Sequence, residues 1–213
     1  MKKYEKTGYL HHDFKIFHLT DHEMSAYDFH YHDFHKLLFF LSGNVTYCIE
    51  GKSYQLTPGD LVLVRAGEVH RPVIHDTTPY ERMIIYVSPD FAVTSSDKTI
   101  FLNQCFLPDA AMPSNVLHLS GMKERRLLDT MTELVHSFSE DSFANEIYQN
   151  TLFLEFMIHL NRAALSGTLQ YEDSFQANEK ILSVLTYMNE HLTEDITVDS
   201  LACLLYTSDA ADE

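Results

Sequence analysis

Turn residues divide the first part of this chain into short segments, and that punctuation constrains the fold more than any other feature. Glycine, proline, asparagine and aspartate favour tight turns because of their backbone preferences. They recur at residues 42–44, 50–52, 57–60 and 66–68. Short strands between frequent turns predict an all-β sandwich or barrel. The predicted strands are Phe14–Leu19, Phe29–His32, Leu37–Leu41, Val45–Glu50, Ser53–Leu56, Leu61–Val64 and Tyr80–Val87.

One of these strands carries no polar residue. Leu37 to Leu41 reads Leu-Leu-Phe-Phe-Leu. Successive side chains of a strand point to opposite faces, so a strand that is apolar at every position has both faces buried. We therefore expect this strand to lie between two layers of the protein.

From about residue 122 the hydrophobic pattern changes to that of a helix. Leu127, Leu128, Met131, Leu134, Val135 and Phe138 recur with helical spacing. A second helix is predicted from about Phe143 to Ala164, and it is apolar almost all round between residues 152 and 160. Such a helix must be covered on more than one side. Either the barrel and the first helix cover it, or a second copy of the chain also does, with Leu152, Phe156 and Leu160 as the expected dimer contacts.

The remaining segments give weaker patterns. Residues 166–178 are polar and predict a linker, which a third helix through Ile181 to Leu192 and a short fourth helix from Val198 follow. The segment Ser88–Asn115 is mixed, with one short helix expected around Thr99–Phe106.

Composition excludes several classes of protein. The 213-residue chain is 45% hydrophobic, which predicts a folded domain, but no stretch approaches the roughly 20 apolar residues of a membrane span. The formal charge of −16 makes the chain as written a poor DNA binder, since binding to the phosphate backbone requires clustered Lys and Arg. The three cysteines are scattered and no signal peptide precedes His11, so we expect a cytoplasmic protein.

Histidine is the residue type that points to chemistry. Nine of the thirteen histidines lie in the first 75 residues, and His30 and His32 project to the same face of a predicted strand. His70 follows the turn at Gly67 and can reach the same face from another strand. Three converging imidazoles could bind Zn, Fe, Ni or Cu, could hydrogen bond a polar small molecule, or could stand on a solvated surface. His35 and Lys36 lie close by, and a lysine beside metal ligands disfavours a cation.

Other routes to catalysis have little support. The chain has no GxSxG, no Walker-type glycine-rich loop and no GxGxxG. Cys48 and Cys105 lack a recognisable partner arrangement. We therefore expect a binding protein and not an enzyme.

Two motifs in the predicted barrel resemble those of cupins, in the version found in AraC-type transcription regulators. The first is His30-Tyr31-His32 with Gly43, and the second is Pro58-Gly59-Asp60-Leu61 with Gly67-Glu68-Val69-His70-Arg71-Pro72. The helices at 122–165 are placed like the dimerisation helices of that family. Residues 178–202 resemble the opening of its DNA-binding domain. The resemblance therefore covers about residues 13–202.

This resemblance implies a mainly β plus α fold. It comprises a cupin-like double-stranded β-helix (jelly-roll) barrel, an antiparallel helical pair and a C-terminal helical fragment. The implied organisation is a barrel with a connecting segment over 1–120, dimerisation helices over 121–165, a linker over 166–178, and an incomplete helix-turn-helix domain over 179–202. Residues 203–213 look foreign to the family and resemble a translated sequencing adapter, so a non-native tail is expected there.

The chain departs from the cupin pattern at two further positions. Lys36 stands where cupin metalloenzymes usually have a glutamate ligand, and Ala66 stands where the second motif often has proline. The loss of a carboxylate favours an effector pocket, with no cofactor, over a metal centre. The expected pocket residues are His30, His32, His70, Lys36 and His35.

The resemblance therefore implies the ligand-sensing and dimerisation part of a regulator. Its expected partners are a small-molecule effector and a second copy of the chain, with promoter DNA bound only by the full-length protein and no membrane. The alternative is a cupin metalloenzyme, a dioxygenase or isomerase, in which His30, His32 and His70 hold a divalent metal. A third interpretation is a stand-alone sensor without a DNA-binding part.

Overall fold

The computed structural model describes residues 5–23, 26–95, 98–107, 114–119 and 125–167, with a few single positions between 169 and 201. The predicted third and fourth helices, the helix-turn-helix fragment, the tail and nearly all of the predicted linker lie outside the described residues. Two α-helices and one 3₁₀ turn accompany twelve strands in the described part of the chain.

The strands are numbered in chain order. They are β1 (Glu5–Lys6), β2 (Phe14–Asp21), β3 (His30–Tyr31), β4 (His35–Ser42), β5 (Val45–Ile49), β6 (Lys52–Gln55), β7 (Asp60–Val64), β8 (His70–Ile74), β9 (Tyr80–Val87), β10 (Ala92–Ser95), β11 (Lys98–Phe101) and β12 (Val116–His118). The helices are α1 (Arg125–Ser137) and α2 (Asn145–Leu165), and the 3₁₀ turn is Gln104–Phe106.

Two five-stranded sheets form the body of the domain. One has the order β1-β3-β8-β5-β6, the other has the order β12-β7-β4-β9-β2, and β10 and β11 form a separate hairpin. Apart from the parallel β1–β3 pair, the described pairs are antiparallel. The predicted fold class, a jelly-roll barrel followed by helices, is confirmed.

The hydrophobic side chains form two layers, one on each side of β4. Leu38 and Phe40 point inward to a cluster that also contains Tyr47 of β5 in the facing sheet. Leu37 and Phe39 point outward to a second cluster, which the two helices share. The prediction that both faces of this strand are buried is confirmed, since Leu37 to Phe40 are all at most 4% exposed.

A glycine closes the turn that carries the chain from one sheet to the other. Gly43, between β4 and β5, has a backbone φ of +126°, which residues that have a Cβ rarely adopt. A Cβ built there would also lie 3.2 Å from the Cα of Tyr80. Both constraints favour glycine at this position of the motif.

The helical pair covers the outer face of the second sheet. Leu152, Phe156 and Leu160 of α2 are buried in the cluster that contains Leu37 and Phe39. Asn161 also fixes α2, because its amide nitrogen donates to the carbonyl of Leu102 (2.8 Å) and its amide oxygen accepts from the N–H of Cys105 (2.8 Å). Neither described helix has the length and hydrophobicity needed to cross a membrane.

The burial of α2 corrects the expected dimer contacts. Leu152, Phe156 and Leu160 are at most 7% exposed within a single chain, so they stabilise the protomer and are not available to a partner. The sequence pattern could not separate them from a second apolar stripe on the same helix. That stripe holds the exposed Ile147, Ile158 and Leu165, with the polar Thr151 among them, and Leu154, which is partly buried against the core.

The segment Ser88–Asn115 differs from its prediction. The expected helix around Thr99–Phe106 is wrong, because Lys98–Phe101 pairs with Ala92–Ser95 as a hairpin and only Gln104–Phe106 makes a 3₁₀ turn. Strands β1, β8 and β12 were not predicted, and neither were β10 and β11 of this hairpin. Pro72 in β8 is a poor strand residue, and β12 has only three residues, too few for a periodic pattern.

Candidate functional site

A cavity of about 750 Å³ opens on the inner side of the sheets. Its walls combine hydrophobic and polar side chains. Aromatic residues dominate the first group, which includes Tyr27, Phe29, Tyr47, Tyr80 and Tyr86. The second group comprises His30, His32, Lys36, Arg71, Arg82, Asp28 and Thr7. Few polar groups within a largely apolar concavity are typical of small-molecule sites, which span about 300–1,000 Å³.

Three histidines meet beside this cavity. His30 of β3 pairs with His70 of β8, and His32 follows directly after β3. The backbone carbonyl of His32 accepts a hydrogen bond of 2.8 Å from the N–H of Gly67, which ties β3 to the turn before β8. One ring nitrogen from each of the three lies within 4.8 Å of the other two. The structure therefore brings together the three histidines that alternation places on one face.

The hydrogen bonds of these rings determine which nitrogen carries the proton. Nδ1 of His30 lies 2.8 Å from the carbonyl of Asp28, and Nδ1 of His70 lies 3.0 Å from the carbonyl of Glu68. Nδ1 of His32 contacts the carbonyl of Thr7. A carbonyl can only accept, so each Nδ1 must donate, and the neutral ring then has its lone pair on Nε2. The Nε2 atoms of His32 and His70 are buried and make no hydrogen bond to a described residue.

Burial keeps the three imidazoles neutral. Desolvation lowers the pKa of His30, lowers that of His32 to about 4, and lowers that of His70 further still. The positive charge of Lys36 acts in the same direction on all three. At neutral pH the cluster therefore offers hydrogen-bond acceptors and no positive charge.

Lys36 is a buried amine that lines the same cavity. Its side chain points inward from β4, and the residue is only 6% exposed. Its Nζ donates to the hydroxyl of Tyr47 at 2.9 Å and makes no ion pair with any described residue. Burial, and secondarily the charge of Arg82, lower the pKa of Lys36 to about 7.

His35 was expected in the pocket, and the structure corrects this. Neighbouring side chains on a strand point to opposite faces, so His35 points away from the cavity that Lys36 lines. Its ring stacks on Phe106 with centroids 4.2 Å apart, and its Nδ1 accepts from the N–H of Ala66 at 3.1 Å. His35 therefore belongs to the layer beneath the helices.

The sequence reading missed the arginines and tyrosines of the cavity wall. Tyr80, Arg82, Ile84 and Tyr86 alternate along β9 and all line the cavity. This alternation was a usable signal for a cavity-facing strand. Arg82 forms an ion pair of 2.7 Å with Asp21, whose other neighbour is the hydroxyl of Tyr27 at 2.7 Å. Arg71 of β8 lies over the ring of Phe29 at 4.3 Å.

The cluster also has features that a divalent metal would use. Metal-bound histidines commonly donate their second ring N–H to a carbonyl, as these three do. His30, His32 and His70 thus fit as three ligands. The position at which the cupin pattern expects a fourth, anionic ligand holds Lys36.

The chain belongs to the AraC-like ligand binding domain family. The family model matches residues 13–157, which include every strand of the two sheets except β1, the cavity lining except Thr7, and most of α2. This match agrees with the resemblance carried by the two motifs, and it makes the domain a ligand-binding one. A search of curated protein sequences found no match.

The solved structures that this chain resembles include distant ones. Salicylate 1,2-dioxygenase from Pseudoaminobacter salicylatoxidans is 11% identical with a TM-score of 0.38, over 62% of this chain and 43% of that chain. The DMSP lyase DddQ from Ruegeria pomeroyi is 20% identical with a TM-score of 0.33, over 43% of this chain and 44% of that chain. Vicilin from Corylus avellana (hazelnut) is 15% identical with a TM-score of 0.33, over 41% of this chain and 24% of that chain. The chain thus spans less than half of each.

The buried lysine predicts a stability that depends on pH. The pKa of Lys36 falls from its ordinary 10.5 to about 7 on folding, so between these values the unfolded chain holds a proton that the folded protein has lost. Stability therefore rises with pH across this range, and the full cost of the buried charge applies below it. We expect Lys36→Met to raise the free energy of unfolding by about 1–4 kcal/mol near neutral pH.

The gain in the free energy of unfolding of Lys36→Met over the wild type should shrink as the pH approaches about 10, because Lys36 of the folded wild type is neutral there. Urea unfolding at about pH 6 and about pH 10 measures both values. The control is Lys15→Met, which removes an exposed lysine outside the cavity and should change stability by no more than about 0.5 kcal/mol. An equal effect of Lys36→Met at both pH values would contradict the prediction.

Proposed function

We propose that this chain is the effector-sensing part of a cytoplasmic AraC-type transcription regulator and that it does not catalyse a reaction. The observation that carries the proposal is the cavity of about 750 Å³, lined by converging polar side chains, within a domain of the AraC-like ligand binding family. In this proposal DNA binding belongs to a further part of the full-length protein. The charge of −16 is unsuited to holding phosphates and supports that division.

Strand β4 offers a physical connection between the cavity and the helices. Lys36 faces the cavity and its neighbour His35 stacks on Phe106 on the other side of the sheet. The turn that carries Phe106 also holds Cys105, whose N–H donates to Asn161 of α2. A ligand that shifts Lys36 would thus act on a strand that contacts the helical layer. In the proposed regulator, this effect of the ligand on the helical layer changes how two DNA-binding domains are presented to their half-sites.

The proposed regulator is a homodimer, and the outer stripe of α2 supports this. Ile147 is 68% exposed, Ile158 is 38% exposed and Leu165 is 73% exposed, although all three are apolar. They share one side of the helix with the exposed Thr151, away from the buried Leu152, Phe156 and Leu160. Exposed apolar residues in a row commonly mark an interaction surface.

The effector proposal predicts a saturable ligand whose binding depends on the histidines. A small molecule that binds the folded state alone must raise the melting temperature. At a concentration about one hundred times its Kd, it raises the free energy of unfolding by about 2.7 kcal/mol. We expect a thermal-shift screen of sugars, organic acids and aromatic compounds to find such a molecule. His30→Phe should abolish or strongly reduce the shift, because it removes one acceptor from the cluster.

The matched control for this screen is His136→Phe, an exposed histidine of α1 far from the cavity in sequence. It should keep the full shift. A protein that gains no stability from any compound in the screen, or that gains it equally in His30→Phe, would contradict effector binding in this cavity.

The dimer proposal predicts different outcomes for two substitutions on the same helix. Ile158→Glu places a charge on the outer stripe and should give a folded monomer. Phe156→Glu places it in the core, where the side chain is fully buried, and should unfold the protomer. Sedimentation velocity and circular dichroism measure the two effects. Thr132→Glu, which adds the same charge at an exposed polar position of α1, should remain dimeric. A wild-type monomer at high concentration would refute the proposal.

A second candidate function is a cupin metalloenzyme, a dioxygenase or isomerase. Its support is the three ring nitrogens within 4.8 Å and the two buried Nε2 atoms of His32 and His70. His30, His32 and His70 would hold the divalent metal, which would supply a Lewis acid beside Lys36. The chain's own residues would orient a substrate through Tyr47 and Arg71 and exclude water with the aromatic walls.

Metal analysis separates the two candidates. Our proposal predicts that protein purified without chelator contains far less than one equivalent of Zn, Fe, Ni or Cu, and that His32→Ala leaves this content unchanged. One equivalent of metal that His32→Ala removes, while the exposed-site variant His136→Ala retains it, would favour the enzyme.

A further inference from the structure

Polar groups with two opposite requirements lie at and beside the cavity, because His30, His32 and Lys36 line it and His70 packs against both histidines. The Nε2 atoms of His32 and His70 are neutral acceptors that need a hydrogen-bond donor, because their Nδ1 atoms already donate to the backbone. The ammonium group of Lys36 has three donor hydrogens, and among the described residues only the hydroxyl of Tyr47 accepts from it. A ligand that satisfies both must carry a donor and an acceptor close together.

The charges around the cavity indicate what kind of acceptor group the ligand offers to Lys36. Three cationic side chains line it, and Asp21 already pairs with Arg82 at 2.7 Å. Lys36 and Arg71 form no ion pair with a carboxylate of any described residue. Asp28 also lines the cavity but is exposed at its edge. A buried cation without a counter-charge is costly, so the bound state favours an anion.

The imidazole cluster decides what else the ligand carries. Neutral imidazole nitrogens repel a carboxylate oxygen, since both are acceptors, but they accept readily from a hydroxyl. A buried acceptor left without a partner costs about 1–3 kcal/mol, so a ligand that lacks a donor here is disfavoured. The site therefore selects an acid that also has a hydroxyl group.

We propose that the effector is a hydroxycarboxylic acid, with its carboxylate on Lys36 and its hydroxyl donating to the cluster of His30, His32 and His70. This inference rests on the proposed function and specifies its ligand class. The remainder of the ligand lies against the aromatic walls, where Tyr47, Tyr80 and Tyr86 provide flat apolar surface with hydroxyl groups. The depressed pKa of Lys36 agrees with this arrangement, because a carboxylate partner would restore its protonated form.

The test uses isothermal titration calorimetry with matched ligands in a buffer that contains EDTA. The hydroxy acids are mandelate, phenyllactate and gluconate. Each is compared with an analogue that lacks the hydroxyl, such as phenylacetate for mandelate, and with one that lacks the charge, such as mandelamide. We expect at least one hydroxy acid to bind at least about tenfold more tightly than both of its analogues.

Variants locate the two contacts. Lys36→Met should weaken the acid by at least about tenfold and leave the affinity for the uncharged amide nearly unchanged. His70→Phe should weaken the hydroxy acid and leave the deoxy analogue nearly unchanged. Lys15→Met, which removes an exposed lysine, is the control and should bind all of them as the wild type does. Circular dichroism confirms that each variant is folded.

The remaining outcomes overturn the inference in distinguishable ways. Neutral sugars or simple acids that bind in a His30-dependent manner, while no hydroxy acid does, would refute the ligand class and leave the effector-sensing function standing. Hydroxy acids that bind only after a divalent metal is added would place the acid on a metal and refute the direct contacts. No binding by any compound in the broader screen would refute the proposed function itself.

Discussion

Strand β4 is buried on both faces, and the rest of the domain is arranged around that constraint. Its inward side chains, Lys36, Leu38 and Phe40, meet the facing sheet, while His35, Leu37 and Phe39 meet the layer covered by α1 and α2. A strand in this position must be apolar almost throughout, because each polar group on it has to find a partner away from water. Of its three polar residues, Ser42 lies at its end, and the other two, His35 and Lys36, lie at its start, one on each face.

Those two residues show how the same strand serves stability and binding. His35 is satisfied within the protein, since its Nδ1 accepts from Ala66 and its ring stacks on Phe106. Lys36 is not, because burial removes its water and only the Tyr47 hydroxyl replaces it. The histidine cluster is incomplete in the same sense, with two buried nitrogens that accept nothing from the described residues. Polar groups left this way destabilise the free protein and are the groups that a ligand can complete.

Much of the fold could be predicted from the sequence, and the reason is periodicity. The predicted strand Tyr80–Val87 matches β9 at both ends, and the change to helical spacing marks the start of the helical layer. Periodicity also placed His30 and His32 on one face. It could not choose between the two sides of α2, because apolar residues lie on both at helical spacing, and so the expected dimer contacts were core residues.

The details of the site depend on long-range contacts that no local pattern contains. The protons on the three imidazoles are fixed by carbonyls of Thr7, Asp28 and Glu68, which reach the cluster from separate loops. His35 was placed in the pocket because proximity in sequence was taken for proximity in space, although adjacent strand residues face opposite ways. Arg71 went unnoticed because its place at the cavity depends on pairing between strands that are distant in sequence, whereas the alternation along β9 was a local signal for Arg82 that the prediction did not use.

The central claim is that His30, His32 and His70, which meet beside the cavity, are neutral rings with their lone pairs on Nε2. Long-range ¹H–¹⁵N correlation spectra of protein labelled on histidine nitrogen, recorded without ligand at neutral pH, report the tautomer and charge of each ring. The account predicts three neutral rings protonated on Nδ1 and, as an internal reference, His35 protonated on Nε2. Charged rings in the cluster, or protons on its Nε2 atoms, would contradict it.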